Sequence, residues 1–191
     1  MADQLLRTHP LEGWTAAFAA LPDSLRITAE PFVSMADVRV PPAVAEQFAI
    51  HGVPLPTEPN TWTPTADGQL VWLGPDEWLL ISTGTSPDAL AEELRNELRT
   101  VGGTAVDVSA QRIAVRISGP RARAVLAKGC SIDLHPRAFP AGRSAQTTLG
   151  QAGVVLLSLG VDEFAVLVRS SFAGYLATWL LDAGLEYVPL G

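Results

Sequence analysis

Apolar positions along this chain follow two rhythms, and the second half of the chain repeats the first. Gln69–Leu73 and Trp78–Thr83 are short apolar runs on either side of Gly74-Pro75-Asp76-Glu77. The stretch Leu73-Gly74-Pro75-Asp76-Glu77-Trp78-Leu79-Leu80-Ile81 returns 86 residues later as Leu159-Gly160-Val161-Asp162-Glu163-Phe164-Ala165-Val166-Leu167. Each copy is an apolar run, a Gly-X-Asp-Glu turn and an aromatic residue that opens a second run. This is the pattern of a β-hairpin closed by a short polar loop. Each copy then passes through serines into a stripe of helical period. In the first, Ser86 is placed to cap a helix, with Pro87 at its first position and Asp88 in its first turn. Leu90, Leu94, Leu98 and Val101 line one face, and Gly102-Gly103 stop it. In the second, Phe172, Leu176, Trp179 and Leu180 form the stripe, which ends at Gly184. Two hairpin-plus-helix units are expected to superpose as pseudo-repeats.

The remaining pattern is less regular. Trp14, Phe18 and Leu21 fit one face of a short helix in an N-terminal arm, residues 1–24. Residues 25–40 read as extended chain broken at Pro31. Pro41-Pro42 open a helix predicted to run through Ile50, with Gly52 closing it. Pro54, Pro56, Pro59 and Pro64 forbid a helix or a central strand over 53–64. Ala105–Ser109 reads as a strand. Arg112–Ser118 alternates, with Ile113, Val115 and Ile117 facing in and Arg112 and Arg116 facing out. A helix follows Gly119-Pro120 and ends at Gly129. Residues 130–143 read as irregular, with strands at about 144–149, 153–159 and 163–168. Helices between antiparallel hairpins make the class α+β, split-βαβ in character.

Composition narrows the function. The chain has 191 residues, 48% of them hydrophobic and only 17% charged, so apolar surface is available for a subunit interface. A net charge of −7 argues against a nucleic-acid backbone or an anionic membrane as partner. One cysteine, Cys130, permits no disulfide within the chain, which fits a cytoplasmic location. The N-terminal residues carry no apolar signal core. Three histidines, far apart in sequence, give no zinc spacing.

Candidate chemistry is sparse. Cys130, Asp133 and His135 are close in sequence, but the reading favoured here is a small thiol at a helix end and a loop histidine. Asp76-Glu77 and Asp162-Glu163 read as solvated turn residues rather than an acid–base pair. Arg112, Arg116, Arg121 and Arg123 form a local basic cluster. By default it is a solvated face; the alternative is a salt-bridged seam or a site for an acidic ligand.

Three stretches resemble the gamma subunits of heterotetrameric sarcosine oxidase: Leu73–Leu80, Asp107-Val108-Ser109-Ala110-Gln111-Arg112, and Ile117–Pro136 with its Lys128-Gly129-Cys130. Phe139, Gly142 and Gln146-Thr147 also fit. The resemblance covers about residues 25–188. The wider relatives are the glycine-cleavage aminomethyltransferases and their folate-binding homologues. It implies two pseudo-repeated split-βαβ (ferredoxin-like) units, about 65–130 and 144–191, within an aminomethyltransferase-like domain at 25–191. It also implies alpha, beta and delta partner subunits carrying FAD, FMN, NAD and zinc, with no cofactor in this chain. The assembled enzyme of that family oxidises sarcosine to glycine and peroxide and passes the one-carbon unit to tetrahydrofolate. Aminomethyltransferases carry an acidic pair just before the first hairpin, where this chain has Asp67-Gly68-Gln69-Leu70. A single, shifted acid implies a non-catalytic subunit.

The alternatives are a free-standing folate-binding or folate-dependent transferase and a homodimeric ligand-binding domain. No catalytic, cofactor or metal residue is assigned. Trp62, Arg137 and Phe139 are the expected subunit-interface residues. On that reading, Trp62→Ala weakens partner binding and leaves the chain's own melt nearly unchanged; the alternative is a Trp62 tucked back onto the core, whose truncation lowers the melt.

Overall fold

The computed structural model describes residues 8–188, and in it two five-stranded antiparallel sheets lie face to face with helices outside. The chain opens with a 3-10 turn and helix α1 (Thr15–Ala19), then β1 (Arg26–Ala29), β2 (Ser34–Arg39) and α2 (Pro42–Ala45). A small hairpin of β3 (Ala49–Ile50) and β4 (Val53–Pro54) precedes β5 (Trp62–Pro64), β6 (Gly68–Gly74) and β7 (Glu77–Ser82). Helix α3 (Pro87–Leu98), β8 (Thr104–Asp107), β9 (Arg112–Ser118) and α4 (Ala122–Ala127) follow. The chain then forms β10 (Ser144–Leu149), β11 (Ala152–Gly160), β12 (Glu163–Arg169) and α5 (Ala173–Gly184).

The first sheet has the order β5-β6-β7-β2-β8 and the second β10-β11-β12-β9-β1. Position by position the two correspond, except that the outer strand of the second comes from the N-terminal part of the chain. The repeated turns also share a local irregularity. Gly74 pairs with Glu77 and Gly160 with Glu163, each beside a register shift, at Trp72/Gly74 and Ser158/Gly160. Strand β9 lies in the second sheet and helix α4 packs on it, so the boundary between the two sheets along the chain falls between β8 and β9.

Three apolar clusters hold these layers together. α3 buries Leu90, Leu94 and Leu98 on the outer face of the first sheet, against Val38, Leu70, Trp78 and Leu80. Gly102, at φ 71°, takes the left-handed conformation that ends this helical segment. α4 and α5 cover the second sheet, whose outward residues include Ile113, Val115, Ile117, Phe164 and Val166; Leu11 and Phe18 of the arm join the same cluster. Between the sheets lie Met35, Val71, Leu79 and Ile81 of the first and Val155, Leu157 and Leu167 of the second. Both faces of the central strands are therefore buried, which explains unbroken apolar runs such as Leu79-Leu80-Ile81.

Four local expectations are corrected. The helix predicted from Pro42 through Ile50 is a single turn. His51 and Gly52 both have positive φ, 49° and 76°, and reverse the chain into the β3-β4 hairpin. Ser86 occupies the N-cap of α3 but makes no side-chain capping bond. Phe172 lies off the buried stripe of α5, 41% exposed, because it closes a 3-10 turn before the helix begins at Ala173. Arg116 does not point into bulk solvent: the face of β9 opposite Ile113, Val115 and Ile117 looks toward the other sheet.

Candidate functional site

The layer between the sheets is apolar at its centre and polar at both ends. One end holds a cavity of about 220 Å³ lined by Glu30, Asp67, Gln69, Arg116, Ile81 and Leu167, among others. Gly68 allows the chain to pass here: a Cβ at this position would stand 1.9 Å from the Ile81 carbonyl oxygen. The close approach lets Asp67 reach back over the end of β7. Its Oδ2 accepts from the Ser82 hydroxyl at 2.5 Å and from the Gly84 N–H at 3.0 Å, and its carbonyl accepts from the Thr83 N–H at 3.0 Å. The Ser82 bond, opposed by burial and helped by the Gly84 N–H, holds the Asp67 carboxyl below its usual range. Across the cavity, Arg116 joins Glu30 and Glu163 at 2.6 Å each, and the Glu30 bond raises its pKa further. Every charge at this end has an internal partner. A carboxylate kept ionised by two donors is a poor proton carrier near neutral pH, because efficient acid–base groups titrate close to the working pH.

The other end is built differently. Arg39 gathers Glu77 at 2.9 Å, Asp76 at 3.3 Å and Asp37 at 3.6 Å. The two turn acids and Asp37 of β2 therefore converge on one guanidinium. Glu77 is pushed up, first by burial and then by its hydrogen bond with Asp37. On the second sheet, Arg112 and Arg169 are direct cross-strand partners beside an open cleft with Gln146 and Thr147.

The four arginines grouped in the sequence are thus scattered by the fold. Arg112 and Arg116 serve opposite ends of the layer. Arg121 lies 5.1 Å from the Tyr187 ring centroid. Arg123 lies 4.9 Å from that of Phe164 and donates to the carbonyls of Leu134 and Val161. Cys130 and His135 are not paired. The Cys130 thiol lies 4.0 Å from the Thr147 hydroxyl. The Asp133 carboxylate and the His135 Nδ1 accept backbone N–H groups, of His135 at 2.8 Å and Arg137 at 3.2 Å.

The segments bearing Trp62 and Phe139 meet at the edge of the sandwich. The Trp62 N–H donates to Gly142 O at 3.0 Å, its Nε1–H donates to Ser158 O at 3.0 Å, and Thr61 bridges Arg143. Trp62 is half-buried against the inter-sheet cluster, Phe139 is 5% exposed within the core of the second sheet, and Arg137 is exposed. Because Trp62 ties the two sheets together, its truncation is expected to lower the chain's own melt, as the core alternative has it. Arg169 and the Asp67–Ser82 bond were missed. Neither has a local signal, since both depend on which strands pair.

The model of the sarcosine oxidase gamma subunit family matches residues 36–186. The chain belongs to that family. A gamma subunit of sarcosine oxidase from Arthrobacter sp. is 39% identical over 160 residues, covering 82% of this chain and 78% of the relative. One from Corynebacterium sp. (strain P-1) is 34% identical over 188 residues, covering 95% and 92%. A chain of the heterotetrameric sarcosine oxidase from Corynebacterium sp. U-96, solved in complex with pyrrole 2-carboxylate, superposes with a TM-score of 0.84 at 31% identity. That match covers 98% of this chain and 99% of the other. Aminomethyltransferase T of the glycine cleavage system from Bartonella henselae has the same kind of fold, with a TM-score of 0.55 at 17% identity. It covers 91% of this chain but 50% of that one. The architecture is α+β with antiparallel sheets, as in both. Among the described residues, no helix is long and apolar enough to cross a membrane.

Proposed function

We propose that this chain is the non-catalytic gamma subunit of a heterotetrameric sarcosine oxidase. Its partners are alpha, beta and delta subunits that carry FAD, FMN, NAD and zinc. The assembly oxidises sarcosine to glycine with peroxide and forms 5,10-methylenetetrahydrofolate in the cytoplasm. The observation that carries this reading is the near end-to-end likeness to a chain of the Corynebacterium complex. Two features of the inter-sheet cavity favour a structural role. Asp67 is committed to holding its own turn, and about 220 Å³ is small beside the ~300–1,000 Å³ of pockets that enclose drug-sized ligands. Each sheet is a split-βαβ unit in this reading. The repeats comprise residues 34–107 and 112–184, the second borrowing β1, so both repeats belong to one interlocked domain with the described part of the arm, from residue 8, packed on it.

We place part of the subunit seam where the Trp62 and 139–143 segments adjoin. Arg137 and the outer face of Trp62 contact a partner, and Phe139 supports them from below. Co-expression with the flavoprotein subunits tests the assignment: the chain copurifies with them, and alone it is colourless and consumes no oxygen with sarcosine. A flavin spectrum in the isolated chain, or folate turnover abolished by Asp67→Asn, overturns it. At the seam, Arg137→Ala reduces copurification with an unchanged melt, whereas Trp62→Ala lowers both.

A further inference from the structure

Arg112 and Arg169 are held side by side, with no counter-ion among the described residues. They are register partners in β9 and β12, so their Cβ atoms are roughly 4.5–5.5 Å apart on one face of the sheet. Among the described residues, neither guanidinium makes an ion pair or a side-chain hydrogen bond, while Arg116, four positions along the same strand face, makes two ion pairs. Like charges directly opposite each other destabilise a sheet. Arg112 is also half-buried, and burial together with the Arg169 charge lowers its pKa. Its nearest compensation is the longer-range pull of Asp37 and Glu77, whose direct contacts go to Arg39. The pair borders an open cleft of about 330 Å³ that also has Gln146 and Thr147 on its wall.

We propose that the Arg112–Arg169 pair receives an acidic side chain of a partner subunit, a docking contact that this chain leaves half-made. Each guanidinium can donate two parallel N–H bonds to a carboxylate, and two of them side by side offer an acidic side chain donors for both of its oxygens. A protein partner fits better than a free anion because the face is dipolar. Beside the two arginines, Asp37, Asp76 and Glu77 share the single guanidinium of Arg39 and leave a net negative patch. A small anion is repelled by that patch. A partner surface can set an acidic group on the arginines and a basic one on the acids, and such complementarity fixes register.

This inference rests on the proposed role as an oxidase subunit, and the test separates the two. The chain is co-expressed with the flavoprotein subunits as wild type, R112Q, R169Q and the double variant. Affinity is measured over a range of salt concentrations, and the isolated full-length chains are melted. Wild type assembles; the double variant binds at least tenfold more weakly, with a flatter salt dependence. The isolated double variant melts at the same temperature as wild type or higher, because a repulsion has been removed. Failure of the wild type to assemble sinks the subunit role and this contact with it. Normal, equally salt-dependent assembly of the double variant sinks the contact alone. A lowered melt of the isolated double variant shows that the arginines serve this chain's own fold, and also overturns the proposal. So does stabilisation of the isolated wild-type chain by acetate at constant ionic strength, if it is absent from the double variant, since the occupant is then a free carboxylate.

Discussion

Arg116 and Arg112 sit on the same face of the same strand, four residues apart, and meet opposite fates. Arg116 is enclosed by Glu30 and Glu163. Arg112 faces Arg169 and reaches no acid directly among the described residues. One end of the inter-sheet layer is electrostatically closed, and the other is left open. Charge at a closed end serves the fold. Charge left half-buried and unpaired makes the free chain less stable, and a partner can remove that cost.

The comparison breaks most completely if the two ends are uncoupled from the apolar centre. Leu157, fully buried between the sheets, holds both in place. Leu157→Ala is expected to cost about 2–5 kcal/mol in denaturant unfolding. Next, Arg116→Gln leaves Glu30 and Glu163 facing each other across the closed end. Its partners are partly solvated, so the expected loss is about 1–2 kcal/mol, a melt lower by roughly 2–8 °C. Asp67 adds a pH signature to the closed end. Its folded pKa lies below the unfolded value of about 3.9, so its contribution is complete above that pH and is lost as pH falls through the folded pKa. Ser82→Ala removes the main donor, so the acid-side fall in stability that belongs to Asp67 shrinks. Parallel urea titrations between about pH 5 and pH 2 measure this. The smallest effect is at the open end. Arg169→Glu supplies Arg112 with a cross-strand partner, and the free chain gains about 0.2–1 kcal/mol in the same assay.

Much of the architecture was legible because its signals are local. The Gly-X-Asp-Glu turns fix the ends of β6, β7, β11 and β12 to within a residue or two. Leu90, Leu94 and Leu98 define α3, and the stripe after Phe172 defines α5. The helix expected after Pro42 failed because its capping glycine, Gly52, instead works with His51 to reverse a hairpin. Arg112 and Arg116 were misjudged for a different reason. Alternation in Arg112–Ser118 says which residues share a face, but not whether the polar face meets water or a second sheet. The signal lay elsewhere, in uninterrupted runs such as Val154–Leu157, which require apolar surroundings on both faces. The candidate site was the least legible. Arg112 meets Arg169, Asp67 meets Ser82 and Trp62 meets Ser158 only through strand register, which no short window of sequence contains.

The strand borrowed from the start of the chain also sets an order of construction. β1 is synthesised before any other strand, yet its partner, β9, appears only with residues 112–118. The first sheet is complete once β8 emerges. The second must close a loop of more than eighty residues before its last edge is covered, and contacts so distant in sequence slow folding. Cutting the chain between β8 and β9 would give unequal pieces. The earlier would keep its whole sheet, while the later would expose β9 as a bare edge, open to pairing with any other chain. Moving β1 to follow α5 would instead make each sheet contiguous in sequence, with the apolar layer between the sheets still joining the two halves.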